Sequence, residues 1–360
     1  MYNLHIITNF SQVGGAEKML ARVINASCNQ EHLVLSLLSV SDSVKSLLPP
    51  NVNVVSLDSK SVLGLILSIV RLVPYLNGAK KVFCWMYHAH AIGTLSYLIS
   101  RSTSPLIWNV RHSLDNIKSE SFSTKVAIKL GKLLGRIPNK VIYCSKRAQE
   151  QHLHYGYSPF SSAVYIPNGY IFEDFVPKNF AVSKLVIGAA GRFHVAKDFA
   201  TFFEVAGRLQ RIYPNVFVEV AGRNVDYDNP AVSAWIDEFH VVRSRLVLHG
   251  ELSQMSDFYK RIHFFALTSI TEGFPNVLAE ASSFGCICIS TDVGDASVIV
   301  KDSNRVVPIK GTSEMVGSFT KLFSMTSLQL NELSEDAAKD MRSRFDIKLI
   351  SKQIMEVGDE

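Results

Sequence analysis

Short apolar runs and longer segments with helical spacing alternate along almost the whole chain. Seven apolar runs in the first half predict β-strands: LHIITNF (residues 4–10), HLVLSLL, VNVVSL, KVFCWM, PLIWNV, KVIYCS and AVYI. Segments such as AEKMLARVINAS and KVAIKLGKLLGRI, whose apolar residues recur every three or four positions, predict helices between them. This alternation is typical of a parallel sheet with helices on both faces.

The same alternation begins again near residue 185. LVIGAAGRF predicts a new first strand, followed by the helix DFATFFEVAGRLQRI and the strands VFVEVAG, RLVLHG, HFFALTS, CICIST and RVVPI. Residues 166–184 carry Pro, Gly and Asn with weak periodicity, so we place the domain linker there. We predict an α/β fold of two Rossmann-like domains, residues 1–175 and 176–340, with ligands bound in the cleft between them.

Length and composition agree with two packed domains. The 360 residues exceed the ~250–300 at which single cores stop growing, and 47% hydrophobic with 19% charged residues argues against disorder. A net charge of +5 is compatible with phosphorylated ligands or an anionic membrane surface. The Lys and Arg residues are scattered and no known nucleic-acid module is visible, so we expect no nucleic-acid partner.

Three features predict a cytoplasmic protein. The cysteines are five in number and four lie within apolar runs, which indicates reduced thiols rather than disulfides. The segment MYNLHIITNF lacks the basic region and long apolar core of a signal peptide. The longest apolar stretch, residues 62–76, is interrupted by Arg71 and Pro74 and is shorter than the ~20 residues of a spanning helix.

Two loops of the first domain carry candidate chemistry. In FSQVGGAEKML, Gly14 and Gly15 turn the chain into a helix, where backbone amides can approach a ligand, although such pairs often have only a geometric role. After KVFCWM, His88 and His90 precede an apolar helix, and each could be catalytic or simply hydrogen-bonded in the core. No third ligand lies near the two histidines, so we predict no metal site.

The first turn of the second domain, GAAGRFHVAKDF, combines glycines with two cations. Arg192 and Lys197 follow a strand and precede a helix, a position that suits a pyrophosphate. A solvated loop with two surface cations is the alternative. The glycines and the placement favour the phosphate interpretation.

The stretch TEGFPNVLAE places Glu272 just before a predicted helix and Glu280 inside it. Pro275 suits a helix start, because its missing N–H would have no partner there. We expect an anion to bind at this helix start, next to the amides of Phe274, Asn276 and Val277. Acids near helix starts also stabilise the macrodipole by ~0.3–1 kcal/mol, which would explain Glu272 alone.

These motifs resemble one family. The chain resembles the retaining GT-B glycosyltransferases of family four, the glycosyl transferases group 1. The resemblance lies in EGFPNVLAEASSFG followed by CICISTDVG. Three other motifs occur in the same order as in that family: GGAE, IPNG (residues 166–169) and GR followed by Lys-Asp (residues 192–198). The resemblance covers essentially the whole chain. It is strongest to bacterial enzymes that build surface polysaccharides such as O-antigen or capsule, whose early segment often reads WMYH, as residues 85–88 do. One departure is the sequence after ISTDVG, where the family often has another Gly and then an acid and this chain has residues 295–297, Asp-Ala-Ser.

The resemblance implies a role for each candidate residue. Glu272 would contact the hydroxyls of the donor sugar, Glu280 would bind the ribose, and Arg192 with Lys197 would neutralise the diphosphate. The remaining positions implied at the donor site or beside the transferring sugar are Gly15, His88, Phe274, Pro275, Asn276 and Val277. It also implies that a C-terminal helix, residues 341–360, packs back on the first domain, and that neither a metal nor a cofactor is required.

The implied activity is transfer of a hexose or N-acetylhexosamine from a nucleotide-diphosphate sugar, UDP in preference to GDP, to a glycan or lipid-linked acceptor with retention of configuration. The alternatives are a sugar-nucleotide epimerase of the same fold and a non-catalytic, glycosyltransferase-like regulatory subunit. An NAD-dependent dehydrogenase also fits the alternation, but neither first turn reads GxGxxG.

Residues 123–140 predict a basic amphipathic helix. Val126, Leu130, Leu133 and Leu134 alternate with Lys125, Lys129, Lys132 and Arg136. Such a helix can lie on anionic lipid at the inner face of the membrane, where a lipid-linked acceptor would be found. Alternatively, it packs its apolar stripe on the sheet.

Overall fold

The computed structural model describes residues 1–12, 14–115, 117 and 120–359. The chain divides into two compact units: Met1–Ile171 with Phe345–Glu360, and Phe172–Arg344. The first unit thus comprises two separate stretches of sequence. The expected domain boundaries were residues 175/176 and 340/341; the units divide after residues 171 and 344.

Each unit is built on one parallel sheet. The first sheet has the order β3-β2-β1-β4-β5-β6-β7, and the second has the order β10-β9-β8-β11-β12-β13. The strands are β1 (Tyr2–Ile7), β2 (His32–Ser36), β3 (Asn53–Ser56), β4 (Ala79–Trp85), β5 (Leu106–Val110), β6 (Lys140–Tyr143), β7 (Ala163–Tyr165), β8 (Leu185–Ala190), β9 (Val216–Ala221), β10 (Leu246–Leu248), β11 (Phe264–Leu267), β12 (Ile287–Thr291) and β13 (Val306–Val307). All thirteen correspond to predicted strands, and the prediction of two Rossmann-like sheets is confirmed.

Helices connect nearly all of the strands. They are α1 (Gly15–Ala26), α2 (Asp42–Lys45), α3 (Val62–Leu76), α4 (Tyr87–Ser100), α5 (Phe122–Leu134), α6 (Lys146–Tyr155), α7 (Phe199–Ile212), α8 (Pro230–Glu238), α9 (Ser256–Arg261), α10 (Asn276–Ser283), α11 (Ala296–Val300), α12 (Thr312–Phe323), α13 (Ser327–Phe345) and α14 (Ile347–Glu356). Across the described residues, no helix combines the length and the apolar character that a membrane crossing requires.

The first sheet is buried on both faces because its strands are apolar at nearly every position. Leu4 and Ile6 of β1 belong to the core beneath α3, α4 and α5. Ile7, together with Phe83 of the neighbouring strand β4, belongs to the core beneath α1 and α14. Alternate side chains of one strand therefore pack into two separate layers.

The C-terminal helix returns to the first unit, as the resemblance implied. The backbones of Tyr170 and Ile347 are joined by a 2.9 Å hydrogen bond where the chain re-enters this unit. Lys81, which is almost fully buried, then holds the end of α14 through its ammonium group. Its Nζ donates to the carbonyls of Met355 (2.5 Å) and Val357 (3.0 Å) and pairs with Asp359 at 2.7 Å.

The amphipathic helix α5 does not pack its predicted apolar stripe on the sheet. Val126, Leu130 and Leu133 are exposed. The residues that face the core are Ala127, Ile128 and Gly131, with Leu134 half-buried. A Cβ on Gly131 would lie 2.4 Å from the Tyr157 hydroxyl, so the missing side chain of Gly131 lets α5 approach the core closely. Val126, Leu130 and Leu133 are left on the outside.

Candidate functional site

The second unit brings two of the predicted motifs together at the edge where its parallel strands end. Strands β8 and β11 are neighbours, and the strand order reverses between them, which is where ligands bind in open α/β sheets. The loops that follow these strands are tied to each other. Ile270 N donates to the Ala196 carbonyl at 2.8 Å, and Thr268 Oγ1 donates to the Lys197 carbonyl at 3.0 Å.

Lys197 and Glu272 form an ion pair in this position. Lys197 Nζ lies 2.5 Å from Glu272 Oε1, and the two side chains are only 22% and 14% exposed. The buried hydroxyl of Ser269 donates to the same oxygen at 2.8 Å. Among the described residues, Glu272 Oε2 has no hydrogen-bond partner. The pair therefore fixes the carboxylate and leaves one oxygen to accept from a ligand hydroxyl.

The turn after β8 fixes the position of Lys197. A short 3-10 helix, Val195–Lys197, leads into α7 through Asp198, whose φ is +46° and whose carboxylate accepts from Thr201 Oγ1 at 2.7 Å. The neighbouring turn after β9 lies so close that a Cβ on Gly222 would be 1.7 Å from the Gly191 carbonyl oxygen. Arg192 lies in the turn after β8 and is exposed to solvent.

The second half of the stretch TEGFPNVLAE forms the start of α10. The helix begins at Asn276, and Phe274 and Pro275 before it are buried. Val277 is half-buried in the first turn, and the first amides of a helix have no acceptor within that helix. Pro275 offers no side-chain acceptor to these amides. This arrangement fits an anion at the helix N-terminus.

The turn after β12 packs directly against this segment. A Cβ on Gly294 would lie 2.5 Å from the Gly273 carbonyl oxygen and 2.9 Å from that of Glu272, and the φ of Gly294 is +51°. Only glycine combines this conformation with this close approach. Asp295, the first residue of the departure from the family pattern, is buried next to it.

Glu280 lies in the second turn of α10 and is half-buried. The hydroxyl of Tyr259 donates to its Oε2 at 3.1 Å. Tyr259 is buried, and its ring stacks on Phe284 with 5.7 Å between centroids. Tyr259, a buried and stacked aromatic neighbour, thus contributes to the orientation of the Glu280 carboxylate.

The remaining predicted residues lie in the first unit. Gly15 is the first residue of α1, and Val13 of the same loop lies outside the described residues. A Cβ on Gly14 would lie 2.5 Å from the Glu17 carboxylate, which folds back toward the start of α1. Burial raises the pKa of Glu17, and bonds from its own backbone N–H and that of Gly14 oppose the rise. An acid thus lies where the sequence predicted only glycine amides.

His88 is the second residue of α4 and is half-buried. Burial lowers the pKa of His88, so its imidazole is neutral at pH 7. The helix is entered through Met86, whose φ of +72° and ψ of 163° are a combination usually adopted only by glycine. Backbone strain of this kind costs ~1–3 kcal/mol and clusters at functional sites. Here it sets the direction of the first turn that carries His88.

His90 is part of the core. Its Nδ1 lies 2.9 Å from the Tyr157 hydroxyl and its Nε2 lies 3.3 Å from the Asn109 carbonyl. The ring stacks on Trp108 with 4.7 Å between centroids, and burial lowers the pKa of His90 to about 3. Both ring nitrogens are therefore engaged inside the protein.

Three contacts of the candidate site were not predicted. Ser269 supports Glu272, Tyr259 supports Glu280, and Glu17 covers the start of α1. Ser269 stands three residues before Glu272, so this short spacing is visible in the sequence. Tyr259 and Glu280 are 21 positions apart and lie on two different helices, so no local sequence pattern indicates their contact. In the part of the chain that the structure describes, no group of three or more His, Cys, Asp or Glu side chains is placed to hold a metal ion.

Sequence comparisons find a family model that matches most of the second unit. Residues 184–324, which contain the whole candidate site of the second unit, match the family model described as glycosyl transferases group 1. The chain is 30% identical over 136 residues to the phosphatidylinositol N-acetylglucosaminyltransferase gpi3 subunit of Schizosaccharomyces pombe, covering 36% of this chain and 28% of that protein. It is 23% identical over 161 residues to the putative glycosyltransferase EpsF of Bacillus subtilis, covering 44% and 41%. The chain thus spans well under half the length of these relatives.

Solved structures extend the likeness to the whole fold. Anabaena Alr3699/HepE in complex with UDP and glucose superimposes with a TM-score of 0.79 over 99% of both chains, at 18% identity. The sucrose-phosphate synthase tll1590 of Thermosynechococcus elongatus gives 0.77 over 99% of this chain and 98% of that one, at 14% identity. The chain therefore has the GT-B fold of these solved structures, and its residues 184–324 match the glycosyl transferases group 1 family model.

Proposed function

We propose that this protein is a retaining, metal-independent glycosyltransferase. It moves a hexose or N-acetylhexosamine from a nucleotide-diphosphate sugar, UDP in preference to GDP, to a glycan or lipid-linked acceptor in the synthesis of a polysaccharide such as O-antigen or capsule. The observation that carries the proposal is the Lys197–Glu272 pair at the ends of β8 and β11. The UDP-bound structures of Anabaena HepE, a protein of the same fold, support a UDP donor.

The reaction develops negative charge on the departing diphosphate and positive charge on the sugar. Lys197 and Arg192, with the start of α10, would stabilise the diphosphate. A lysine ammonium has three donors, so Lys197 can keep its bond to Glu272 and still donate to a phosphate oxygen. Charge-assisted bonds of this kind are worth about 1.5–3 kcal/mol each.

The two glutamates would bind opposite ends of the donor. Glu272, held by Lys197 and Ser269, would accept hydrogen bonds from sugar hydroxyls near the reaction centre through its second oxygen. Glu280, oriented by Tyr259, would accept from the ribose hydroxyls. His88, neutral at pH 7, would lie beside the transferring sugar, and Gly15 would let the first loop approach the donor or acceptor.

Retention would proceed on one face of the sugar. The acceptor hydroxyl would attack the anomeric carbon as the bond between that carbon and the phosphate oxygen breaks. The departing phosphate oxygen would take the proton of the acceptor hydroxyl. The acceptor gains the sugar, and the nucleotide diphosphate leaves with the proton. No covalent nucleophile is required, and a double displacement through Glu272 is the minority alternative.

Product analysis tests this proposal against its rivals. The protein is incubated with UDP-hexoses and UDP-N-acetylhexosamines, with glycan and lipid-linked acceptors, and products are followed by proton NMR. A transferase releases UDP and forms a glycosidic bond with the anomeric configuration of the donor. An epimerase changes the sugar without acceptor, and a regulatory subunit turns over nothing. Glu272→Gln should slow transfer by ~10²–10³-fold, whereas Glu251→Gln, an exposed acid of the same unit, should not.

A lipid-linked acceptor would bring the protein to a membrane. The basic segment 123–140, whose apolar residues Val126, Leu130 and Leu133 are exposed, supports a peripheral contact with anionic lipid at the inner face of the membrane.

A further inference from the structure

Helix α3 has apolar residues on its outer side as well as its inner side. Ser68, Leu72 and Leu76 form the buried side. Five large apolar residues, each between 53% and 76% exposed, form the outer side: Val62, Leu63, Ile66, Leu67 and Val70. The last four follow Val62 by one, four, five and eight residues, a spacing that places all five on one face of the helix. A helix that is apolar all round is normally buried, so the outer face of α3 calls for a partner.

The exposed face of α3 belongs to a larger surface. Helix α4 packs between α3 and α5 on the same side of the first sheet. It adds Leu98 and Ile99, and α5 adds its outward stripe of Phe122, Val126, Leu130 and Leu133. We call the exposed side of these three helices the α3–α5 face. Of the 25 exposed large apolar side chains in the described part of the chain, it carries eleven.

The charge of this face has a single sign. Residues 59–114 and 121–149 contain no Asp or Glu, so none of the three helices carries a carboxylate. The exposed cations Arg71 and Arg101 lie on or next to α3 and α4. Around α5 the exposed cations are Lys129, Lys132 and Arg136.

This combination distinguishes between the possible occupants. Two copies of the chain meeting through this face would set like charges against each other, which disfavours a homodimer. An apolar ridge bordered by cations matches an anionic lipid surface, where apolar side chains enter the acyl boundary and cations contact the headgroups. Helix α3 has 15 residues, about 22 Å at 1.5 Å per residue, so it would lie along the surface rather than cross it.

We propose that the α3–α5 face docks on an anionic phospholipid surface, with the outer face of α3 inserted and the cations of α5 on the headgroups. The inference rests on the membrane contact proposed above and extends it from segment 123–140 to a helix outside that segment. It makes α3 the apolar anchor and α5 the electrostatic one.

Vesicle flotation tests the proposal. The full chain is mixed with vesicles of phosphatidylcholine alone or with phosphatidylglycerol. Wild type should float with the anionic vesicles, less so at high salt. Leu63→Ser/Leu67→Ser/Val70→Ser should lower the vesicle affinity at least ~10-fold. The matched control is Val176→Ser/Ile212→Ser/Leu328→Ser, which removes side chains of similar exposure from the other unit and should leave binding unchanged.

The role of the α5 cations and the insertion of α3 into the lipid are tested separately. Lys129→Gln/Lys132→Gln/Arg136→Gln should lower affinity ~100-fold, at ~5-fold per cation. In Leu67→Trp, the emission of the added indole should shift to the blue on anionic vesicles.

The proposal is overturned if the serine variant of α3 floats like wild type, or if the added indole does not shift. It is also overturned if light scattering shows a dimer that the serine variant of α3 dissolves. The UDP-induced shift in melting temperature, measured on the same variants, keeps a failure of the donor site distinct from a failure of membrane docking.

Discussion

Lys197 Nζ lies 2.5 Å from Glu272 Oε1, so the cation expected at the diphosphate and the acid expected at the sugar are in direct contact. The two residues are 75 positions apart and lie in the segments that follow the neighbouring strands β8 and β11. Ser269 donates to the same carboxylate oxygen. In the proposed reaction, this contact would couple binding of the leaving group to the position of Glu272 beside the sugar.

This contact predicts different effects for its two members. Lys197→Gln would remove the proposed donor to the diphosphate and should weaken UDP binding about 10-fold or more, because a charge-assisted bond is worth about 1.5–3 kcal/mol. Glu272→Gln should change UDP binding by less than about 3-fold while slowing sugar transfer. Isothermal titration calorimetry with UDP measures the first effect. Equal losses of UDP affinity in both variants would mean that the pair only stabilises the loop.

Glu280 should recognise ribose hydroxyls. Wild type should bind UDP more tightly than 2′-deoxy-UDP, and Glu280→Gln should reduce that preference, because a carboxylate accepts more strongly than an amide. Tyr259→Phe, which removes the hydroxyl that orients Glu280, should reduce the preference partly. A preference that survives Glu280→Gln unchanged would assign ribose recognition to another residue.

The strands could be predicted from sequence because both sheets are parallel and buried, so each strand reads as an apolar run. The orientation of α5 could not. Hydrophobicity favours packing Val126, Leu130 and Leu133 inward. The close approach of α5 to Tyr157 at Gly131 instead turns the face with Gly131 and Ile128 inward.

Sequence motifs pointed to the candidate residues Lys197, Glu272 and Glu280, because glycines and helix starts can be recognised locally. The side-chain contacts around these residues could not be predicted in the same way. The contacts of Ser269 and Tyr259 with those glutamates depend on how neighbouring strands and helices are placed. The strained backbone of Met86 and the folded-back carboxylate of Glu17 likewise result from packing.

Gly294 should tolerate no side chain. In Gly294→Ala the new Cβ would meet the Gly273 carbonyl at 2.5 Å in a conformation with positive φ, so the loop must shift away from Glu272. We expect a loss of about 1–3 kcal/mol in the free energy of unfolding and weaker UDP binding. The control is Gly317→Ala in α12, where nothing lies within 4 Å of the new Cβ and stability should rise by up to ~1 kcal/mol. Similar melting temperatures for the two variants would contradict the steric argument.

Lys81 should hold the C-terminal helix on the first unit. Lys81→Met removes three contacts to Met355, Val357 and Asp359 and leaves buried carbonyls without donors, at about 1–3 kcal/mol each. Limited proteolysis should then cleave the segment after residue 345 faster. Lys80→Met, a change at the exposed neighbour, should have no such effect. Equal cleavage rates would show that packing against α1 suffices.

Buried histidines should make the first unit sensitive to acid. Burial lowers the pKa of His90 to about 3 and that of His152 to about 4. The unfolded chain, with a histidine pKa near 6.5, therefore binds more protons below pH 6.5, and stability falls as pH falls from there. Each such histidine adds about 1.4 kcal/mol per pH unit to the slope until its folded pKa is reached.

Chemical denaturation between pH 6.5 and 4.5 measures this slope. His152→Gln should lower the slope of the free energy of unfolding against pH by about 1.4 kcal/mol per pH unit, the contribution of one proton. His154→Gln, a change at an exposed histidine of the same helix, should leave the slope unaltered. An identical slope in wild type and His152→Gln would mean that carboxylates alone cause the acid sensitivity.

The most direct test of the account is thermal stability against UDP, GDP, ADP and NAD, each at millimolar concentration. A ligand at about a hundred times its dissociation constant adds about 2.7 kcal/mol, a shift of about 5–10 °C for a unit of this size. UDP should raise the melting temperature more than GDP does, and Lys197→Gln and Glu280→Gln should both reduce that rise. A shift with NAD alone, or with none of the four, would contradict a nucleotide-sugar site in this protein.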